Sequence, residues 1–96
     1  MKKVILKFDR FETIDEVQDY LAGAFAFPEY YGRNLDALYD CLMDLDEYTC
    51  VGLFLPKEES PLRQYAERMT RVFLDAEEEN RRLGVIYAGN YKRNKD

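Results

Sequence analysis

Residues 50–55, Cys-Val-Gly-Leu-Phe-Leu, form a continuous apolar run that stops at Pro56. A run of this length with no polar alternation predicts a central strand buried on both faces, and such a strand needs neighbours to pair with and layers to cover it. Two other runs can supply the neighbours. Residues 4–8 (Val-Ile-Leu-Lys-Phe) end at Asp9, and residues 85–88 (Val-Ile-Tyr-Ala) follow Gly84.

The stretches between these runs have helical spacing. Thr13-Ile14-Asp15-Glu16 is a capping-box pattern, and Ile14, Val17, Leu21, Ala24 and Phe25 continue a helical stripe to about residue 26. Ser60-Pro61 offers a cap followed by proline at a first helical position. Leu62, Tyr65, Ala66, Met69, Val72, Phe73 and Ala76 then trace a long helix to about Leu83, with Gly84 as its stop. Strands separated by helices imply right-handed crossovers, so the expected fold is α/β, a small three-stranded parallel sheet packed with helices. One domain should occupy residues 1–88. Residues 89–96 are polar and slightly basic and read as a flexible tail. There is no internal repeat and no linker composition.

The remaining stretch, residues 27–45, combines a turn, a cap and an amphipathic helix. Pro28 and Gly32 set the turn, Asn34 is placed to cap, and Asp36 lies in the first helical turn, where the positive end of the dipole favours a carboxylate. Leu35, Leu38, Leu42 and Leu45 share one face, while Asp36, Asp40 and Asp44 recur every fourth residue on the other. Like charges at that spacing cost a helix roughly 0.2–0.5 kcal/mol per pair, so a face needed only for solubility would be better built otherwise. Residues 29–47 hold six acids and one base, Arg33, while the rest of the chain carries 13 of each sign. The whole net charge of −5 is therefore gathered on one turn and one helix.

That distribution restricts function. An acidic chain with a pI near 4.8 is a poor direct partner for nucleic acid and a good one for a basic protein surface. With no histidine there is neither a nucleophile–imidazole couple nor an imidazole metal site, and no phosphate-cradling glycine loop occurs. Three aspartates on a solvated helix face lack the burial that acid–base work requires, and their spacing is not that of a calcium loop. The chain therefore reads as a binding module and not an enzyme, with no cofactor and no metal. Apolar content of 47%, with 15% aromatic, argues for a folded domain. No stretch approaches the ~18 apolar residues of a membrane span, and the first residues do not resemble a secretory signal, so the cytoplasm is the expected compartment. Cys41 and Cys50 are not spaced as a CxxC pair and read as reduced, half-buried thiols. Tyr30, Tyr31 and Tyr39 border the acidic helix, mixing aromatic anchors with charge as interface centres do.

Residues 28–42, PEYYGRNLDALYDCL, resemble the signature of the barstar family, intracellular inhibitors of barnase-type ribonucleases. VFLDAE at residues 72–77 is similar to the family's last-helix segment, and the order of elements agrees over most of the chain. The connection at residues 56–60 is short for the extra small helix found in the family. The resemblance implies inhibition of a basic extracellular-type ribonuclease or related toxin by plugging its active site, as a monomer in a 1:1 complex. On that basis Asp40 would occupy the substrate-phosphate position against active-site arginines. Tyr30 would be the main aromatic contact, with Asp36 and Asp75 as further acidic contacts. Asn34, Leu35, Tyr39 and Asp44 would lie in or beside the contact surface. Tyr39 and Leu45 stand where the family's best-known member has tryptophans, and Asp44 where it has a small residue. The alternative reading is a barstar-like regulatory or structural module that binds another toxin class or a basic protein that is not a nuclease.

Overall fold

In a computed structural model, which describes residues 1–91, the chain forms three strands and three α-helices with one short 3-10 turn. The order is β1 (Lys2–Lys7), the 3-10 turn (Phe8–Arg10), α1 (Ile14–Phe25), α2 (Leu35–Met43), β2 (Thr49–Phe54), α3 (Arg63–Glu79) and β3 (Leu83–Ala88). The sheet is parallel throughout and β2 is central, with Val4 opposite Val51 and Val51 opposite Val85. This is the α/β architecture expected from the alternation of apolar runs and helical stripes.

Helix boundaries follow local chemistry. Thr13 Oγ1 accepts from the Glu16 amide at 3.2 Å, and the Glu16 carboxylate accepts from the Thr13 and Glu12 amides, completing the box that starts α1. The helix ends at Ala26, whose φ of 55° is left-handed, and the Phe27 amide donates back to the Ala22 carbonyl at 2.9 Å. Helix α3 stops at Glu79, earlier than its apolar stripe suggests. The Asn80 side chain accepts from the Arg82 amide and donates to the Leu42 carbonyl at 2.8 Å, so a side chain that competes for backbone partners turns the chain there. Leu83 consequently opens β3 and does not close the helix. Ser60 precedes a turn: its hydroxyl accepts from the Leu62 amide, and α3 starts at Arg63. Residues 57–62 are turns, with no helix among them.

The core lies on one side of the sheet. Val4, Leu6, Val51, Leu53 and Leu83 are buried with Val17 and Leu21 of α1, Leu38 and Leu42 of α2, and Met69 and Phe73 of α3. The alternate strand positions are open, with Ile5 47%, Phe54 41% and Ile86 71% exposed. Two-sided burial of the central run is therefore corrected. Its unbroken apolar character comes from Cys50, half-buried, and from Gly52, over which the Ile5 side chain lies; a Cβ at Gly52 would stand 3.3 Å from Ile5 Cδ1. Cys41 and Cys50 are both free and half-buried.

Arg63 closes the far end of the sheet. It is buried, and its guanidinium donates to the carbonyls of Pro56 (2.8 Å), Gly89 (2.7 Å) and Asn90 (3.3 Å) and to Glu67 (2.6 Å). The expected tail lies, over residues 92–96, outside the described residues.

Candidate functional site

The segment between α1 and α2 rests on the core through a column of rings. Phe25 packs on Phe73 of α3 and stacks on Phe27, and Phe27 meets Tyr31 with ring centroids 4.7 Å apart. Tyr31 is buried, so its neighbour Tyr30 is directed outward and is 89% exposed. Tyr31 Oη donates to Gln18 Oε1 at 2.5 Å, and burial pushes its phenol up to about 12. Arg33 follows with a left-handed φ of 56°, then Asn34, whose Oδ1 accepts from the Ala37 amide at 2.8 Å and caps α2.

Helix α2 buries Leu38 and Leu42 and turns Asp36 and Asp40 to solvent. It ends at Met43, short of the extent its leucine spacing predicts, because the Asp44 amide closes on the Cys41 carbonyl. Asp44 is therefore the C-cap, where the negative end of the helix dipole disfavours a carboxylate. A residue that costs stability at this position calls for a gain elsewhere.

Two depressions flank α2. The larger, of about 410 Å3, lies toward the preceding loop, with an apolar floor of Phe25, Phe27 and Leu45 and a rim of Tyr30, Asp40, Asp44 and Asp46. Among the described residues no lysine or arginine lines it. Cys41 also lines this cleft, and its thiol is raised by burial and then by the charges of Asp44 and Asp40. The smaller depression, of about 300 Å3, takes Asn34, Leu35 and Asp36 together with Arg33, Tyr65 and Arg68.

The expected contact residues thus divide. Tyr30, Asp40 and Asp44 meet at one cleft, and Asn34, Leu35 and Asp36 at the other. Tyr39 lies half-buried against the core, lining neither depression. Asp75 sits on α3, 3.9 Å from Arg71, and lines neither depression. Among the described residues no cation lies within ion-pair distance of Asp36, Asp40 or Asp44, and no three metal-ligating side chains converge. Reading the sequence alone missed Gln18, which is 1% exposed beneath the loop. Its signal was a polar residue on the apolar stripe of α1, beside Val17 and one turn from Ile14.

Comparison with known proteins adds two findings. Residues 1–90 match the family described as Barstar (barnase inhibitor). The chain is also 40% identical over 82 residues to a protein of Bacillus subtilis (strain 168) named "Putative ribonuclease inhibitor YrdF", a match that covers 82% of this chain and 89% of the relative.

Proposed function

The chain belongs to the barstar family, and from that premise we propose that it inhibits a barnase-type ribonuclease by docking α2 and the loop before it into the enzyme's active site. A ribonuclease active site presents cations for the substrate phosphate, and a carboxylate can accept paired guanidinium hydrogen bonds as a phosphate does. Asp40 takes that role, Tyr30 is the aromatic anchor, and Asp36 and Asp44 extend the acidic surface. Asn34, Leu35 and Tyr39 border it, and Asp75 adds a carboxylate from α3.

One observation carries this reading: Asp40 and Asp44 share a cleft with the exposed ring of Tyr30, and among the described residues no cation lines it. Such a surface holds its charge for a partner. The protein acts inside the cell as a monomer in a 1:1 complex, with an inhibitory and not a catalytic role.

The test is a ribonuclease assay with barnase as the probe, titrated with this protein at low and at physiological salt. The reading predicts loss of activity with an end point at one equivalent. Full ribonuclease activity at both salts would contradict it and favour a basic partner that is not a nuclease.

A further inference from the structure

The loop carrying Tyr30 is held by two consecutive residues of α1, neither of which belongs to the proposed contact surface. Gln18, buried beneath the loop, accepts from Tyr31 Oη at 2.5 Å and donates through Nε2 to Tyr65 Oη of α3 at 2.6 Å. Asp19, on the solvent side, is ion-paired with Arg33, whose Nη2 also donates to the Asp15 carbonyl at 3.3 Å. Consecutive helical residues point about 100° apart, so one helix can reach the loop from within and from outside. The two tethers bracket Gly32, and the outer one secures the left-handed backbone of Arg33.

The inner tether has a cost that needs a reason. A leucine at residue 18 would continue the apolar stripe, and phenylalanines could replace both phenols. The chain instead buries an amide between two hydroxyls, an arrangement that must be fully satisfied to be tolerated, and no buried polar side-chain atom among the described residues lacks a partner. A satisfied polar triad specifies one geometry where an apolar cluster would permit several. Tyr65 extends that geometry to α2, since it shares the depression with Asn34, Leu35 and Asp36.

We infer that Gln18 and Asp19 are positioning residues for partner recognition, fixing the loop at residues 28–34 before the partner arrives. What the loop binds rests on the inhibitor reading; how it is held does not. A preorganised loop has no ordering cost at binding, and that cost appears mainly in the dissociation rate.

The test uses the whole chain and two variants, Gln18→Met in the interior and Asp19→Asn at an exposed position where unfolding is not at issue. The first readout is hydrogen exchange at the Tyr31 amide of the free protein, which donates to the Pro28 carbonyl at 2.9 Å. Gln18→Met should speed it about tenfold while the Val51 amide of the central strand is unchanged, the pattern of local opening. The second readout is binding to barnase, where dissociation should quicken about tenfold for Gln18→Met and about threefold for Asp19→Asn, with association within about twofold. Adding Tyr31→Phe to Gln18→Met should cost nothing further, since the two act through one hydrogen bond.

Unchanged dissociation in both variants would overturn the inference, even with faster exchange, because the tethers would then serve stability alone. If wild type fails to bind barnase, the inhibitor reading falls, and unchanged loop exchange in Gln18→Met would overturn the tether separately.

Discussion

Arg33, the one base in the acidic stretch at residues 29–47, turns its guanidinium away from α2 and onto the Asp19 carboxylate of α1. The pair is exposed and adds little to stability. Its consequence is electrostatic, because among the described residues no lysine or arginine is left to line the cleft of Asp40 and Asp44.

Association with a basic ribonuclease should therefore be steered and strongly screened. Raising ionic strength from about 0.05 to about 0.5 M, where the screening length falls well below the size of the interface, should slow association by about tenfold or more. Stopped-flow mixing with barnase measures this directly. A rate independent of salt would argue against the acidic face as the docking surface.

Arg63 makes the opposite kind of prediction. Removing its guanidinium leaves the carbonyls of Pro56, Gly89 and Asn90 without that donor. Arg63→Met should cost about 1–3 kcal/mol in urea unfolding, the penalty for stranding one buried acceptor, since the Pro56 carbonyl is buried while Gly89 and Asn90 are exposed to water. Inhibition by the folded variant should persist, because Arg63 borders neither depression beside α2. Loss of inhibition with unchanged stability would contradict this separation.

The buried phenol of Tyr31 sets an alkaline limit. Burial is the main cause of its rise to about 12, followed by the repulsion of the neighbouring Tyr65 and Cys41 groups. Below the ordinary tyrosine value near 10 both folded and unfolded chains hold the proton, and the contribution to stability is complete. As pH rises through the window from there to about 12, the unfolded chain ionises first and stability is lost. Tyr31→Phe should flatten this loss in denaturant midpoints taken across the window. An equal fall in both proteins would mean that Tyr31 stays accessible to water.

Much of the fold was legible because its signals are local. The capping residues Thr13 and Asn34 sit where the sequence places them, and the stripes of α1 and α3 face the core, except that Ile14, at the start of the α1 stripe, is 44% exposed. What was not legible depends on tertiary context. The run at residues 50–55 is apolar on both alternations, yet burial on both faces needs a second helical layer, and no local signal reveals that all the helices pack on one side. Where a helix ends is equally contextual: Leu83 fits the stripe of α3 as well as it fits a strand, and the choice is made by Asn80 reaching the Leu42 carbonyl from another helix. The acidic face itself was visible from spacing, since Asp36 and Asp40 follow helical periodicity. Its isolation was not, because whether Arg33 pairs forward with Asp36 or backward with Asp19 is decided by a left-handed backbone and the position of α1.

In the proposed complex Asp40 stands in place of a substrate phosphate. The most direct measurement is the dissociation constant for barnase of wild type and Asp40→Ala, with far-ultraviolet circular dichroism confirming that the exposed substitution leaves the fold intact. Asp40→Ala should lose about 2 kcal/mol or more, roughly a thirtyfold weaker complex, the general cost of truncating one member of a desolvated charge pair and one drawn partly from this family's own complexes. Equal affinity for the two proteins would remove Asp40 from the centre of the interface.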